Sequence, residues 1–112
     1  MNKKLKENFI NPKNIGKIRK ADIIKEYKSD SCEDSIRLHI VLEDDTIVNI
    51  KYEVFGCWAV ISACSIVSEY IKGKSLSEIR ELNKCNILEL FEDYPKEKEK
   101  CLLLVYDLIK DI

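Results

Sequence analysis

The sequence predicts an α+β domain: a small antiparallel sheet of about three strands packed against helices. Three observations predict it. Runs with an apolar residue at every second position come early, at 35–43 and 47–55, and that is the period of a half-buried strand. From Trp58 onward the apolar stretches lengthen and take helical spacing. Strands thus precede helices without βαβ alternation, which argues for an antiparallel rather than a parallel sheet. At 112 residues the chain suits one domain with a real core and no room for a second.

Residues 1–10 are rich in Lys and Asn, with Leu5, Phe9 and Ile10 as apolar anchors. They are expected as a basic N-terminal arm, either mobile or a short amphipathic helix, ahead of the single domain at 11–112. Asn11-Pro12-Lys13-Asn14-Ile15-Gly16 is turn chemistry and marks the start of that domain. A first strand is expected at 21–28, where Ile23, Ile24 and Tyr27 are β-formers. The polar stretch Ser29-Asp30-Ser31-Cys32-Glu33-Asp34 is a loop. In the second strand Ile36, Leu38, Ile40 and Leu42 share one face, and Arg37 and His39 share the other, more polar one. Asp44-Asp45-Thr46 makes a tight turn, and Val48, Ile50, Tyr52 and Val54 resume the alternation, so the two runs form an antiparallel hairpin.

A helix is expected over 58–72. Its polar positions, Ser62, Ser65, Glu69 and Lys72, fall in one narrow stripe and leave most of the circumference for burial. Gly73 ends it. Ser75 with Glu78 reads as a capping box opening a short helix through Leu82. Asn83 to Asn86 breaks that helix, 87–91 forms another turn or two, and Tyr94-Pro95 is a loop. After charge alternation over 96–100, a final helix runs from Cys101 to Ile109, with Leu102, Val105 and Ile109 on one face.

Hydrophobic residues make up 46% and charged residues 35% of the chain, a globular composition. The net charge of −1 gives no global reason to expect nucleic acid. Residues 1–28 nevertheless carry nine Lys/Arg against three Asp/Glu, which reads first as a solvated basic face. No apolar h-region follows the early lysines, so no signal peptide is expected. The apolar run after Trp58 is too short to span a bilayer. The expected location is therefore cytoplasmic, where five cysteines are metal ligands, reactive thiols or core fillers rather than disulfides.

Chemistry concentrates at Phe55-Gly56-Cys57. Glycine is expected there for a positive φ, and Cys57 at a helix N-terminus, where the dipole favours thiolate. Cys32 in a loop, Cys57 at a strand-to-helix turn and Cys101 at a helix start would converge at one end of the sheet. Asp34 would add an oxygen. Three thiolates and a carboxylate suit tetrahedral zinc or an iron–sulfur cluster, although the compact Cys-x-x-Cys pairs of zinc ribbons are absent. His39 is not expected as a ligand, Cys64 is expected as core filler, and Cys85 is assigned no role.

Several motifs, in order, resemble the U-type iron–sulfur cluster scaffolds, IscU and the N-terminal domain of NifU. They are Asn11-Pro12-Lys13-Asn14-Ile15-Gly16 (family Asn-Pro-x-Asn-x-Gly), Cys32-Glu33-Asp34 (Cys-Gly-Asp), Phe55-Gly56-Cys57 (Phe/Tyr-Gly-Cys), Glu69-x-x-Lys72-Gly73-Lys74-Ser75, and Cys101 heading the last helix. The resemblance implies an IscU/NifU-N-like fold and a scaffold or carrier rather than a turnover enzyme. Such a scaffold accepts sulfur from a cysteine desulfurase, binds iron, builds a transient [2Fe-2S] cluster and passes it to apo iron–sulfur proteins. By match, Cys32, Asp34, Cys57 and Cys101 would hold the cluster, or zinc in its absence, with Asp34 keeping it labile. No nucleic acid or membrane partner is implied.

Departures from the family pattern surround this set. Glu33 and Trp58 replace the glycines after the first and second cysteines; Glu33 would be solvated and Trp58 would shield the site. Lys100 stands where IscU has a histidine and would help hold Cys101 as thiolate. Lys-Cys at this point is also how the zinc-binding, sulfur-transferring SufU branch looks, but the chain lacks that branch's insertion, so the scaffold branch is preferred. A scaffold homologue acting as an adaptor is the remaining alternative. Tyr94-Pro95-Lys96-Glu97-Lys98 keeps only one proline and the lysine of the Leu-Pro-Pro-Val-Lys chaperone motif, which argues against the dedicated Hsp70-type chaperone.

Overall fold

A computed structural model describes residues 2–29 and 34–112. Three antiparallel strands, β1 (Ile23–Lys28), β2 (Ser35–Glu43) and β3 (Thr46–Phe55), form a sheet in the order β1-β2-β3. Six helices accompany them: α1 (Lys3–Ile10), α2 (Trp58–Ile71), α3 (Leu76–Arg80), α4 (Lys84–Leu90), α5 (Glu99–Leu102) and α6 (Leu104–Ile109). The α+β class and the strand-first order are as expected. In the register Leu38 faces Tyr52, and Ile40 lies between Ile23 and Ile50. One face therefore carries Ile36, Leu38, Ile40, Ile50 and Tyr52, all essentially inaccessible, onto the helices.

The β2–β3 hairpin turns on two residues, Asp44 and Asp45, at φ 52° and 60°. Two successive positive φ values suit the twist of flanking strands, and aspartate tolerates them better than bulkier residues. The chain after α2 returns to this turn. Gly73, at φ 90°, donates its N–H to Ile47 O, and Leu76 N donates to Asp45 O. Glycine is required at Gly73 because a Cβ disfavours that backbone conformation.

Of the basic segment 1–10, Lys3–Ile10 takes the helical of the two expected forms. Leu5 of α1 is fully buried, and the polar stripe of α2 lies beneath α1. Ser62 Oγ donates to Leu5 O at 2.8 Å, and Ser65 Oγ donates to Asn8 Oδ1 at 2.6 Å. Ser65 Oγ also accepts from Lys13 N at 2.9 Å. Of the stripe, only Glu69 and Lys72 remain at the surface. There Asn14 donates to Glu69 Oε2 and accepts from Lys72 Nζ, tying the turn after α1 to the end of α2.

Two further elements differ from expectation. Asn83 does not break the chain but caps α4, exchanging side-chain-to-backbone hydrogen bonds with Asn86 at 2.9 Å each way. Asparagine thereby plays both partners of a capping box, and α4 starts earlier than apolar spacing implied. The final helix is divided: a 3₁₀ turn at Lys96–Lys98 leads into α5, and α6 follows after Leu103. Leu103 N is shared between Glu99 O and Lys100 O.

His39, expected on the polar sheet face, is only 5% exposed. The residue-15 segment pairs with β3 while β1 lies at the opposite edge, so the chain between them crosses that face. Lys17 Nζ sits 3.7 Å from Glu53 Oε2 at the start of this crossing. His39 Nε2 meets Glu53 Oε1 at 3.0 Å. That bond, followed by the charge of Lys17, holds the Glu53 carboxyl below the usual glutamate range. A carboxyl with a depressed folded value stabilises fully above its unfolded value and loses that contribution as pH falls through the folded one. Glu53→Gln is therefore expected to flatten the acid limb of melting temperature against pH, at and below the ordinary glutamate range, and to change little near neutrality. An unchanged acid limb would refute this linkage.

Candidate functional site

The sheet register builds the site. Ser35 at the start of β2 pairs with Phe55 at the end of β3, so Asp34 and Gly56 are the next facing pair. A Cβ placed on Gly56 would lie 2.5 Å from Asp34 Oδ1 and 3.2 Å from its Cγ, so the carboxyl rests on the bare glycine backbone. Gly56 is not among the residues with positive φ. The expectation that glycine serves the turn's dihedral angle is therefore corrected: what this position needs is space.

Cys57 follows in extended conformation (φ −73°, ψ 170°) as the N-cap residue of α2, and its side chain makes no capping bond. Its thiol lies near that of Cys101, which α5 brings up from the other end of the chain. Both thiols are half-buried and packed against the core. The Cys101 thiol is raised above its ordinary value, first by burial and then by the neighbouring Cys57. The Asp34 charge adds to this, and Lys98 opposes it.

One end of the sheet thus gathers two thiols from separate elements, with a carboxyl close enough to act on Cys101 electrostatically. Soft thiolates beside a hard oxygen match zinc or iron–sulfur chemistry, so the donor set fits. It is open, however: among the described residues no three His, Cys, Asp or Glu side chains close into a group able to hold a metal ion. Cys32 and Glu33 lie outside the described residues.

The remaining residues fall as follows. Trp58 opens α2 and packs, half-buried, against the core. Lys100 is exposed, and a cation near Cys101 is Lys98, three residues earlier in the chain. That i, i+3 spacing was the available signal for it in the sequence. Cys64 is fully buried in the core, and burial pushes its thiol up, as suits a filler. Cys85 is exposed in the first turn of α4 rather than in a break. Among the described residues no helix is long and apolar enough to cross a membrane.

Comparison with known proteins adds the following. A family model for the NifU-like N-terminal domain matches residues 1–111. The iron-sulfur cluster assembly scaffold protein IscU 1 of Archaeoglobus fulgidus is 33% identical over 107 residues, covering 96% of this chain and 70% of that protein. Its namesake IscU from Haemophilus influenzae is 32% identical over 111 residues, covering 96% and 87% respectively. Two crystal structures superpose closely. The N-terminal part of a NifU-like protein from Brucella abortus gives a TM-score of 0.78 at 20% identity, over 98% of this chain and 89% of that one. FiSufU from Fervidobacterium islandicum AW-1 gives 0.80 at 24% identity, over 99% and 94%. At these identities the two structures speak to fold alone.

Proposed function

The chain belongs to the NifU-like N-terminal domain family, and from that premise we propose that it is an iron–sulfur cluster assembly scaffold. Its cargo is a transient [2Fe-2S] cluster held by Cys32, Asp34, Cys57 and Cys101. The observation that carries this reading is the meeting of Cys57 with Cys101 at the sheet end where Asp34 rests on Gly56. Cys32 is included through the resemblance of Cys32-Glu33-Asp34 to the family's Cys-Gly-Asp motif.

Each residue has a role in this proposal. The thiols of Cys32, Cys57 and Cys101 accept sulfane sulfur from a cysteine desulfurase and ligate iron. The sulfur is reduced to sulfide with electrons from ferrous iron and from an external donor. Asp34 supplies a hard oxygen, a poorer match to the cluster's iron than thiolate, so the cluster stays exchangeable and passes to apo iron–sulfur proteins. Lys98 offsets negative charge at Cys101. Trp58 limits water at the site from the first turn of α2. The protein acts as a carrier and not as a turnover enzyme, in a reducing compartment such as the cytosol, where free thiols persist.

The test is anaerobic purification and analysis of iron, zinc and acid-labile sulfide, before and after incubation with a desulfurase, cysteine, ferrous iron and a reductant. Iron and sulfide appearing in equal amounts, with a visible charge-transfer spectrum, is the expected result. Zinc that resists replacement would overturn the reading in favour of sulfur transfer, and no metal uptake at all in favour of an adaptor.

A further inference from the structure

The geometry points to Gly56 as the positioning residue of the site: the space left by its missing side chain is the seat of the Asp34 carboxylate. The inference rests on the proposed cargo role of Asp34, but the seat itself can be tested without cargo.

Glycine at a strand end has two usual uses, a left-handed backbone or a close approach. The first does not apply, because Gly56 lies outside the positive-φ region, where any L-residue would be accepted. The second is read directly from what a Cβ would meet. All three nearest atoms belong to Asp34: Oδ1 at 2.5 Å, Cγ at 3.2 Å and Cα at 3.5 Å. The last is ordinary contact, so the backbone need not move. The conflict is confined to the carboxyl at the end of a short side chain.

An alanine here would therefore leave the strands paired and turn the carboxylate out of its seat. Gly56 directly precedes Cys57, and Cys101 on α5 packs beside the helix that Cys57 caps. Losing the seat consequently redirects the oxygen donor relative to both thiols while touching neither of them. Gly56 acts through Asp34 and makes no bond to cargo itself.

The experiment is a double-mutant cycle of Gly56→Ala and Asp34→Ala, read by anaerobic titration with Co2+ through its thiolate charge-transfer absorption. The 13Cγ resonance of Asp34 is recorded in the metal-free protein alongside. Gly56→Ala is expected to keep the far-ultraviolet circular dichroism, shift the Asp34 13Cγ resonance and weaken Co2+ about tenfold, the scale of a lost orienting contact. In the Asp34→Ala background it should weaken binding no further, since the two changes remove the same interaction. Multiplying losses, or an unmoved 13Cγ resonance, would overturn the proposal. If Asp34→Ala binds Co2+ like the parent, Asp34 is not a ligand, and the 13Cγ resonance alone decides the seat. Should Gly56→Ala unfold, the double variant Asp34→Gly/Gly56→Ala discriminates: recovered folding supports a clash with Asp34, and continued unfolding excludes it.

Discussion

Cys101→Ser is expected to reduce metal and sulfide loading by at least about a hundredfold, beyond the tenfold to hundredfold that disturbing outer partners costs at metal sites. Cys57→Ser should do the same. The two thiols lie near each other where α5 packs beside α2, and a serine hydroxyl stays protonated at neutral pH and offers iron a hard, weak donor. Cys85→Ser is the control, because that thiol is exposed on α4. Iron and sulfide analysis after anaerobic reconstitution checks the outcome, with circular dichroism to confirm folding. Full loading in Cys101→Ser would remove that residue from the ligand set and with it the main support for the proposed function.

The second large effect concerns stability and lies at the other face of α2. Removing residues 1–10 deletes Leu5, which is fully buried, and uncovers a helix face with three buried serines. Emptying a buried leucine site costs about 2–5 kcal/mol. The apolar surface that α1 covers adds to this at about 25 cal/mol per Å² newly exposed, while the uncovered serines bond to water. Against a typical domain stability of about 5–15 kcal/mol, the truncated chain should be largely unfolded or molten at room temperature. Chemical denaturation of the full chain, Leu5→Ala and the truncation would show it. Leu5→Ala should lose about 2–5 kcal/mol, and a truncated chain as stable as the parent would show that α1 is a dispensable cover.

The sheet and its order were legible because their cause is local. Alternation over 35–43 and 47–55 fixes which side chains face inward, and Asp44-Asp45 accepts the positive φ values of the turn. Ser75 was legible for the same reason: a cap uses atoms three residues apart, as its bond from Glu78 N does. The cysteine context likewise marked Cys57 and Cys101 as chemistry, and they meet across forty-four positions of chain. What misled was mostly a partner distant in sequence, the Asn83–Asn86 cap being the local exception. The serine stripe on α2 looked like a solvent face, yet α1 supplies its bonding partners. His39 followed the polar phase of its strand, yet a crossing segment and Glu53 bury it.

The sequence by itself therefore determined the α+β class, the buried phase of the strands, the cap at Ser75 and which cysteines to test. These follow from backbone period, capping and side-chain chemistry within a few residues. Only the tertiary structure decided that Gly56 lies against the Asp34 carboxyl, that Lys98 stands near Cys101, and that α1 completes the core. Each depends on which surfaces meet in space, and burial and charge act through that distance, not through position along the chain.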